Sequence, residues 1–515
     1  MTEPPYYRDE QVTLHLGDCL NVLPTIPDAS VDAIVTDPPY ELGFMGKTWD
    51  ASGIAYSVDM WQQCWRILKP GGHLLAFGAT RTYHRMTVAI EDAGFEIRDS
   101  LHWVYGTGFP KGQDIAKSID RHRNDRDDIL RVTAWLKAAR DTVGWTTKQI
   151  DDLFGFNGMA SHWTATASKA ASVPTPEQWD RLKETLGFDD TAIRPLVAEL
   201  NARRGTLGEA WAQREVIGRR HSGLHNGGTS IFLSGTTGRA ADGTIPITAP
   251  ASEAAHQWQG WNTALKPAHE PIVLARKTTG FNTTAANVLE HGTGALNVDG
   301  CRTETGQDYR DKCAPVVGLN SNRNGDAYGE WTGAREDSAH AAGRWPTNIL
   351  LGHGPECIDG GACQPGCPVA EMDRQSGITK SSGGSGTASG RPGQSVYGTY
   401  GQSAGANIGG LGDQGGASRF FPVFRYEAKA PASERPRLAD GTAHTTVKPL
   451  ALMRWLVRLV TPPGGIVLDP FAGSGTTLEA CVTEGFHAIG IEQHEPYADL
   501  CRIRLTKPIT PALFT

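Results

Sequence analysis

Two stretches of this chain alternate short apolar strands with amphipathic helices, and they lie at opposite ends. In residues 11–110, VDAIVTD (31–37) reads as a buried strand and DMWQQCWRILKPGG (59–72) as a helix closed by Pro-Gly-Gly. HLLAFGA (73–79) is a second strand, and YHRMTVAIEDAGFEI (83–97) reads as a helix, a glycine stop and a strand. Residues 442–506 repeat the texture. Leu450, Met453, Leu456, Val457 and Val460 fall at helical spacing. GGIVLDP (464–470) is a strand, TTLEACVTEGF a helix with a glycine stop, and HAIGIEQ (487–493) the next strand. Strands that alternate with helices imply a parallel α/β sheet. Neither end has enough strands for a complete doubly wound sheet, so the economical reading is one domain assembled from both chain ends, residues 1–119 and 421–515.

The intervening chain has a different composition. Residues 120–220 are rich in helix formers and read as a helical insertion. Residues 221–380 are rich in Gly, Thr, Asn and Trp, with few clear elements. The stretch 381–420 reads as a flexible loop, since 13 of the 36 residues in 381–416 are glycine. No apolar run reaches the roughly 18 residues of a membrane span. The start MTEPPYYRDEQ lacks a signal-peptide pattern, so the expectation is a chain that stays in the compartment where it is made. The net charge of −7 provides no global basic field, so any attraction to nucleic acid must come from a local patch.

Two motifs carry chemistry. Asp37-Pro38-Pro39-Tyr40 directly follows the strand VDAIV. The prolines fix φ and remove backbone donors, giving a stiff corner at the carboxyl end of a strand, where open α/β sheets place ligands. The corner offers a carboxylate, free carbonyls and an aromatic face. Those features suit an exocyclic nucleobase amine, whose lone pair is delocalised into the ring: acceptors at Asp37 and the Pro38 carbonyl would draw on its N–H groups, and Tyr40 would stack on the base. The second motif, Asp469-Pro470-Phe471-Ala472-Gly473-Ser474-Gly475, lies between a strand and a helix. Gly473 and Gly475 permit a tight turn and close backbone approach to a ligand. The next strand ends at Glu492, placed to accept hydrogen bonds from ribose hydroxyls. No phosphate-binding lysine follows, which argues against Walker-type nucleotide binding. The combination points to a nucleoside cofactor without a pyrophosphate.

These motifs, in this order, resemble the S-adenosylmethionine-dependent amino-methyltransferases of DNA in the permuted, beta-class arrangement. GFPKG (108–112), AHEPIVLARK (268–277) and GRWPTNIL (343–350) extend the likeness toward phage and actinobacterial members. The resemblance implies a Rossmann-like methyltransferase sheet with helices on both faces and a large inserted α-rich recognition region. It also implies site-specific methylation of double-stranded DNA in a bacterial cytoplasm, within restriction-modification, with no membrane partner and a homodimer as a candidate assembly. Asp37, Pro38, Pro39 and Tyr40 match the catalytic block. Asp18 matches the contact to the cofactor adenine. Asp469, Phe471, Gly473 and Gly475 match the methionine and adenosine pocket, and Glu492 the ribose acid. Lys448 and Pro449 match the helix-start block that closes over the cofactor. An aspartate at the first catalytic position leans toward adenine N6. Cytosine N4 methylation, or a catalytically silent DNA-binding regulator, is the alternative. The target base must leave the duplex, because its amine is buried in the stack.

In the middle region, Ile129, Val132, Leu136, Ala139 and Val143 share a helical face. A short helix, a glycine turn at 155–158 and a second helix resemble a helix-turn-helix offering Ser161, His162, Thr164, Thr166 and Lys169 to a groove; the alternative is a helical insertion that only packs. Thr175-Pro176-Glu177-Gln178 reads as a capping box that starts another helix. Arg203, Arg204, Arg214, Arg219, Arg220 and His221 form a basic stretch suited to phosphates or to a solvated face. Nine cysteines are an odd number, and reduced thiols are the default. The exception is His353, Cys357, Cys363 and Cys367, spaced H-x3-C-x5-C-x3-C, which suits structural zinc; free thiols or a disulfide remain alternatives.

Overall fold

The strand VDAIVT is buried at every position, as expected of a central strand covered on both faces. The computed structural model describes residues 4–42, 52–106, 112–122, 125–167, 170–204, 208–221, 244–303, 343–354, 357, 362–380, 394–395, 398–399, 414–424, 435–444 and 446–507. Its main sheet is built from β1 (Tyr7–Arg8), β2 (Val12–Leu16), β3 (Val31–Thr36), β4 (Leu68–Phe77), β5 (Phe95–Val104), β6 (His269–Lys277), β7 (Ile349–Gly352), β8 (Val423–Phe424), β9 (Ile466–Asp469) and β10 (His487–Glu492). The spatial order is β1-β2-β10-β9-β3-β4-β6-β5-β7-β8. Only β1 and β6 run antiparallel to their neighbours.

The two chain ends therefore interleave. Val467 and Leu468 of β9 pair in parallel with Ala33 and Ile34 of β3. Alternate residues face opposite layers. Ala33, Val35, Leu75 and Phe77 join one core with Leu452, Met453 and Leu456 of α4 (Leu450–Val460) and Leu478 of α5 (Thr476–Thr483). Ile34, Leu74 and Ala76 join the other with Met60, Trp61 and Ile67 of α2 (Val58–Ile67) and Ile90 of α3 (Tyr83–Asp92). A short α1 (Cys19–Val22) follows β2, and α6 (Glu495–Leu505) follows β10.

Two expectations need correction. The Pro-Gly-Gly expected to close the first helix lies inside β4, because α2 ends at Ile67 and the strand begins at once. The β3–β4 register jumps from Val31↔Leu68 to Ala33↔His73, so the intervening residues bulge. Gly72 fits there because a Cβ would lie 2.7 Å from the Leu68 side chain and 2.9 Å from the Asp32 carbonyl oxygen. The division of the chain also shifts. Its compact units are residues 1–108 with 267–515, and 109–266. The stretch 221–380 is thus divided between units: HEPIVLARK supplies β6, between β4 and β5, and ILLG supplies β7. Both runs are apolar enough to be buried on two faces, so they join the main sheet. Most of 381–420 lies outside the described residues.

The unit at 109–266 has its own core, formed by Val132, Leu136, Ile150, Trp163, Trp179, Leu182 and Leu186 among others. The capping box at Thr175 is present, with Pro176 opening the helix Pro176–Leu186. The expected helix pair is Thr147–Phe154 and Met159–Trp163, joined across Gly155 and Gly158 at φ +68° and +88°. Its second helix has only five residues and buries Trp163. Thr164 is also buried and donates to the Ala160 carbonyl at 2.8 Å, so it is not offered to a groove. Lys169 lies outside the described residues. Arg214, read as part of a basic surface, is buried in an ion pair with Asp120, which also accepts from Ser252 Oγ at 2.6 Å and the Ala251 amide at 3.0 Å.

Candidate active site

The strand order creates the cleft. From β9 the chain runs through α5 to β10 on one side, and from β3 through α2 to β4 on the other. Departing connections leave a crevice at the carboxyl ends of β3 and β9, the usual ligand position of an open α/β sheet. The Asp-Pro-Pro-Tyr corner leaves β3 there, and the glycine turn leaves β9 beside it. Thr36 Oγ1 donates to Asp469 Oδ1 at 2.7 Å, tying the two halves together.

The Asp-Pro-Pro-Tyr corner is the centre of a network of four side chains, Asp37, Tyr40, Glu270 and Lys448. Lys448 Nζ donates to Asp37 Oδ2 at 2.6 Å and to the Tyr40 hydroxyl at 2.9 Å. The Tyr40 hydroxyl donates to Glu270 Oε2 at 2.9 Å, and Lys448 Nζ lies 3.3 Å from the same oxygen. Thr82 Oγ1 holds the Tyr40 carbonyl at 2.8 Å. Burial opposes the Lys448 charge, yet Asp37 and Glu270 together hold its ammonium above its ordinary value. Burial, reinforced by the same two carboxylates, pushes the Tyr40 phenol well up, so it remains a donor. Asp37 Oδ1 is buried and has no hydrogen-bond partner among the described residues. An unpaired buried acceptor is costly, so it is a place where an incoming N–H donor gains most.

Glycine and acid shape the other side of the cleft. Gly473 and Gly475 adopt φ +56° and +80°, the left-handed region that favours glycine. A Cβ on Gly473 would sit 3.3 Å from His444 Nε2, and one on Gly475 would sit 3.2 Å from the Cys501 Cα. Glu492 Oε2 accepts from the Gly473 amide and Oε1 from the His494 amide, both at 2.8 Å. Burial raises the Glu492 carboxyl to about 7. Burial likewise raises Asp469 to about 6, although the Phe471 amide also donates to it at 3.1 Å. Half-buried Phe471 packs against the second core. Asp18 caps α1 by accepting from the Leu20 amide at 2.9 Å. Its neighbour Gly17 donates to the Glu492 carbonyl at 2.9 Å, which brings Asp18 to the end of β10. Pro449 is the N-cap of α4.

Lys448, which by resemblance belongs to the block that closes over a cofactor, places its ammonium on Asp37 and Tyr40. Sequence reasoning misses two residues of this region. Glu270 is the second residue of β6, and its sequence signal is a charge near the start of the apolar run in AHEPIVLARK. His444 packs edge-to-face on Tyr497 with centroids 4.5 Å apart, and burial holds its imidazole below the ordinary value. Elsewhere on the sheet, His353, Cys357, Cys363 and Cys367 converge, with all their ligand atoms within 4.8 Å of one another. No described helix is long and apolar enough to cross a membrane.

Comparison with known proteins identifies the family. The model of an N6/N4 methyltransferase family, described as DNA methylase, matches residues 31–173 and 244–502. The chain is 28% identical over 110 residues to the type II methyltransferase M.HinfI of Haemophilus influenzae, covering 18% of this chain and 31% of that protein. It is 36% identical over 85 residues to the type II methyltransferase M.ScaI of Streptomyces caespitosus, covering 16% and 26%. The matches thus span about a third or less of those relatives' lengths. Among solved structures, a putative DNA modification methylase from Thermus thermophilus aligns at 14% identity and TM-score 0.31, over 97% of this chain and 96% of that one. The PvuII DNA methyltransferase, described as cytosine-N4-specific, aligns at 10% identity and TM-score 0.36, over 99% and 91%. With the family model spanning most of its length, this chain belongs to the DNA methylase family of N6/N4 amino-methyltransferases.

Proposed function

We propose that this protein transfers a methyl group from S-adenosylmethionine to the exocyclic N6 of adenine in double-stranded DNA, on a base flipped out of the helix. The observation that carries the reading is Asp37, whose Oδ2 is fixed by Lys448 while Oδ1 is buried without a partner among the described residues. A carboxylate held by one oxygen and open at the other suits an amine N–H.

The residues at the glycine turn fit the cofactor. Its sulfonium and ammonium are cationic, and a cation would relieve the cost of ionising buried Asp469 and Glu492. The left-handed turn at Gly473 and Gly475 leaves backbone open to close approach. Asp469, Phe471, Gly473 and Gly475 would hold the methionine and adenosine portions, Glu492 the ribose hydroxyls and Asp18 the adenine amine. Bound there, S-adenosylmethionine supplies an electrophilic methyl group.

The protein's work is then positional. Asp37 Oδ1 accepts one amine N–H and the Pro38 carbonyl accepts another, which favours tetrahedral nitrogen over the flat, conjugated form. Tyr40, anchored by Thr82, Glu270 and Lys448, presents a fixed ring for the base. Alignment of nitrogen and methyl near 3–3.5 Å supplies much of the rate, and no covalent enzyme intermediate is required. The helix pair at 147–163 is a candidate recognition element of the same function.

The test is transfer of tritiated methyl groups to double-stranded DNA, followed by hydrolysis to nucleosides. Label in N6-methyl-2′-deoxyadenosine is expected. Label in N4-methyl-2′-deoxycytidine would move the target to cytosine, and no transfer would end the catalytic reading.

A further inference from the structure

The loop after β7 gathers three thiols and one imidazole from a span of 15 residues. His353 directly follows the strand, and Cys367 directly precedes the helix Pro368–Ser376. His353 Nδ1 lies 3.5 Å from Cys363 Sγ and 3.5 Å from Cys367 Sγ. A tetrahedral ion with Zn–S bonds of about 2.3 Å and a Zn–N bond of about 2.0–2.1 Å has S···N edges of roughly 3.5–3.6 Å. The observed separations match those edges. All four ligand atoms fall within 4.8 Å of one another, close enough for one ion to gather them.

The surroundings suit a closed site. Cys357 and Cys367 are buried and His353 is half-buried. Leu351, Val369 and Phe421 pack around the thiols. The Gln364 amide donates to Cys357 Sγ at 3.3 Å, the kind of contact that supports a thiolate. Gly366 takes φ +77° within the turn that returns the chain to Cys367. Gly354 admits the Gln364 side chain, because a Cβ there would lie 2.3 Å from Gln364 Nε2.

We propose that His353, Cys357, Cys363 and Cys367 bind a structural Zn2+ ion that staples the loop after β7 to the sheet. Four protein ligands leave no open position, so the ion takes no part in methyl transfer. Its position assigns it a task. His353 N donates to the Phe424 carbonyl at 2.8 Å, holding the last strand of the sheet. On the other side, a Cβ at Gly106 would lie 2.7 Å from Pro368 Cδ, so the loop presses on the chain just beyond β5. The ion therefore fixes the carboxyl ends of β5, β7 and β8, which lie on the same side of the sheet as the carboxyl end of β3 that Asp37 follows. This site does not depend on which base is methylated, or on methylation at all.

Full-length protein expressed with added zinc and purified without chelator or a histidine tag should carry one zinc per chain by mass spectrometry. Cobalt replacement should give the sulfur-to-cobalt charge transfer and visible bands of a tetrahedral thiolate site. Cys363→Ser and Cys367→Ser should lose the metal, whereas Cys301→Ser, at a buried thiol elsewhere, should keep it. His353→Cys should retain metal with an altered cobalt spectrum, which guards against a variant that merely misfolds. Wild-type protein with substoichiometric zinc and no tetrahedral cobalt spectrum would overturn the proposal. Zinc retained in both serine variants would do so as well.

Discussion

Lys448 places its ammonium 2.6 Å from Asp37 Oδ2 across 411 positions of sequence, and Glu270 holds the same ammonium from a third segment. Lys448→Met removes the cation between two carboxylates. Breaking a buried pair in this way costs about 3–5 kcal/mol. Because Asp37 and Glu270 hold Lys448 above its ordinary value of 10.5, its stabilisation is complete below that pH and is lost only as pH rises through the higher folded value. Chemical denaturation at pH 8, well below that value, should therefore find the variant weaker than wild type. Lys448→Arg should recover part of the loss. Equal stability of Lys448→Met and wild type at pH 8 would show that the network contributes nothing.

Asp37→Ala removes the acceptor aimed at the substrate amine but leaves Asp469, Phe471, Gly473, Gly475 and Glu492, the residues lining the glycine turn, in place. Methyl transfer should fall by roughly 10²–10⁴-fold, the range for a positioned acid–base group. Cofactor affinity, measured by calorimetry, should change little. Full activity in this variant would remove Asp37 from the mechanism.

The sequence made both halves of the cleft legible because each half is local. The apolar run before Asp37, and the run before Asp469 with its glycines, encode a strand and a turn within about a dozen residues. The pairing of β3 with β9 was legible only by elimination, since neither end could close a sheet alone. Glu270 was not legible. Its role exists because β6 enters antiparallel between β4 and β5, bringing it to Tyr40 from 230 positions away. Arg214 misled for a related reason: a basic residue next to other basic residues reads as surface until a distant Asp120 buries it.

Glu492 gives a pH dependence with a definite sign. Burial raises its folded value from 4.5 to about 7. A raised carboxyl stabilises the fold most when protonated, so that contribution is full below about 4.5 and is lost as pH rises to about 7. Ribose hydroxyls donate to the ionised form, so binding must expel the proton below pH 7. Cofactor affinity should weaken toward pH 5.5, by as much as about tenfold per pH unit. Asp469, raised to about 6, adds to the lower part of that window. Glu492→Gln should flatten the profile above pH 6. An identical slope in wild type and Glu492→Gln would remove the carboxylate from cofactor binding.

The inserted unit should fail at one buried pair. Arg214→Ala leaves Asp120 with its Ser252 and Ala251 donors but no cation, at a cost of about 3–5 kcal/mol. Arg219→Ala, on an exposed side chain, should change stability by less than about 0.5 kcal/mol. Limited proteolysis should cut Arg214→Ala first within residues 109–266. Equal resistance of the two variants would contradict the burial of this pair.

The glycine turn makes an ordering prediction. Alanine at either Gly473 or Gly475 carries the left-handed penalty of about 1–2 kcal/mol. Their neighbours differ in their ability to yield. At Gly473 the new methyl meets the His444 ring, a side chain that can turn away. At Gly475 it meets the Cα, Cβ and Sγ of Cys501 within α6, including backbone that cannot move without shifting the helix. Gly475→Ala should therefore lower the melting temperature more than Gly473→Ala. Gly473→Ala should act chiefly on cofactor KM, because the displaced imidazole and the new methyl crowd the turn, with kcat at saturation close to wild type. The reverse order of stabilities would mean that α6 yields more readily than His444, and that the turn is not braced as its contacts indicate.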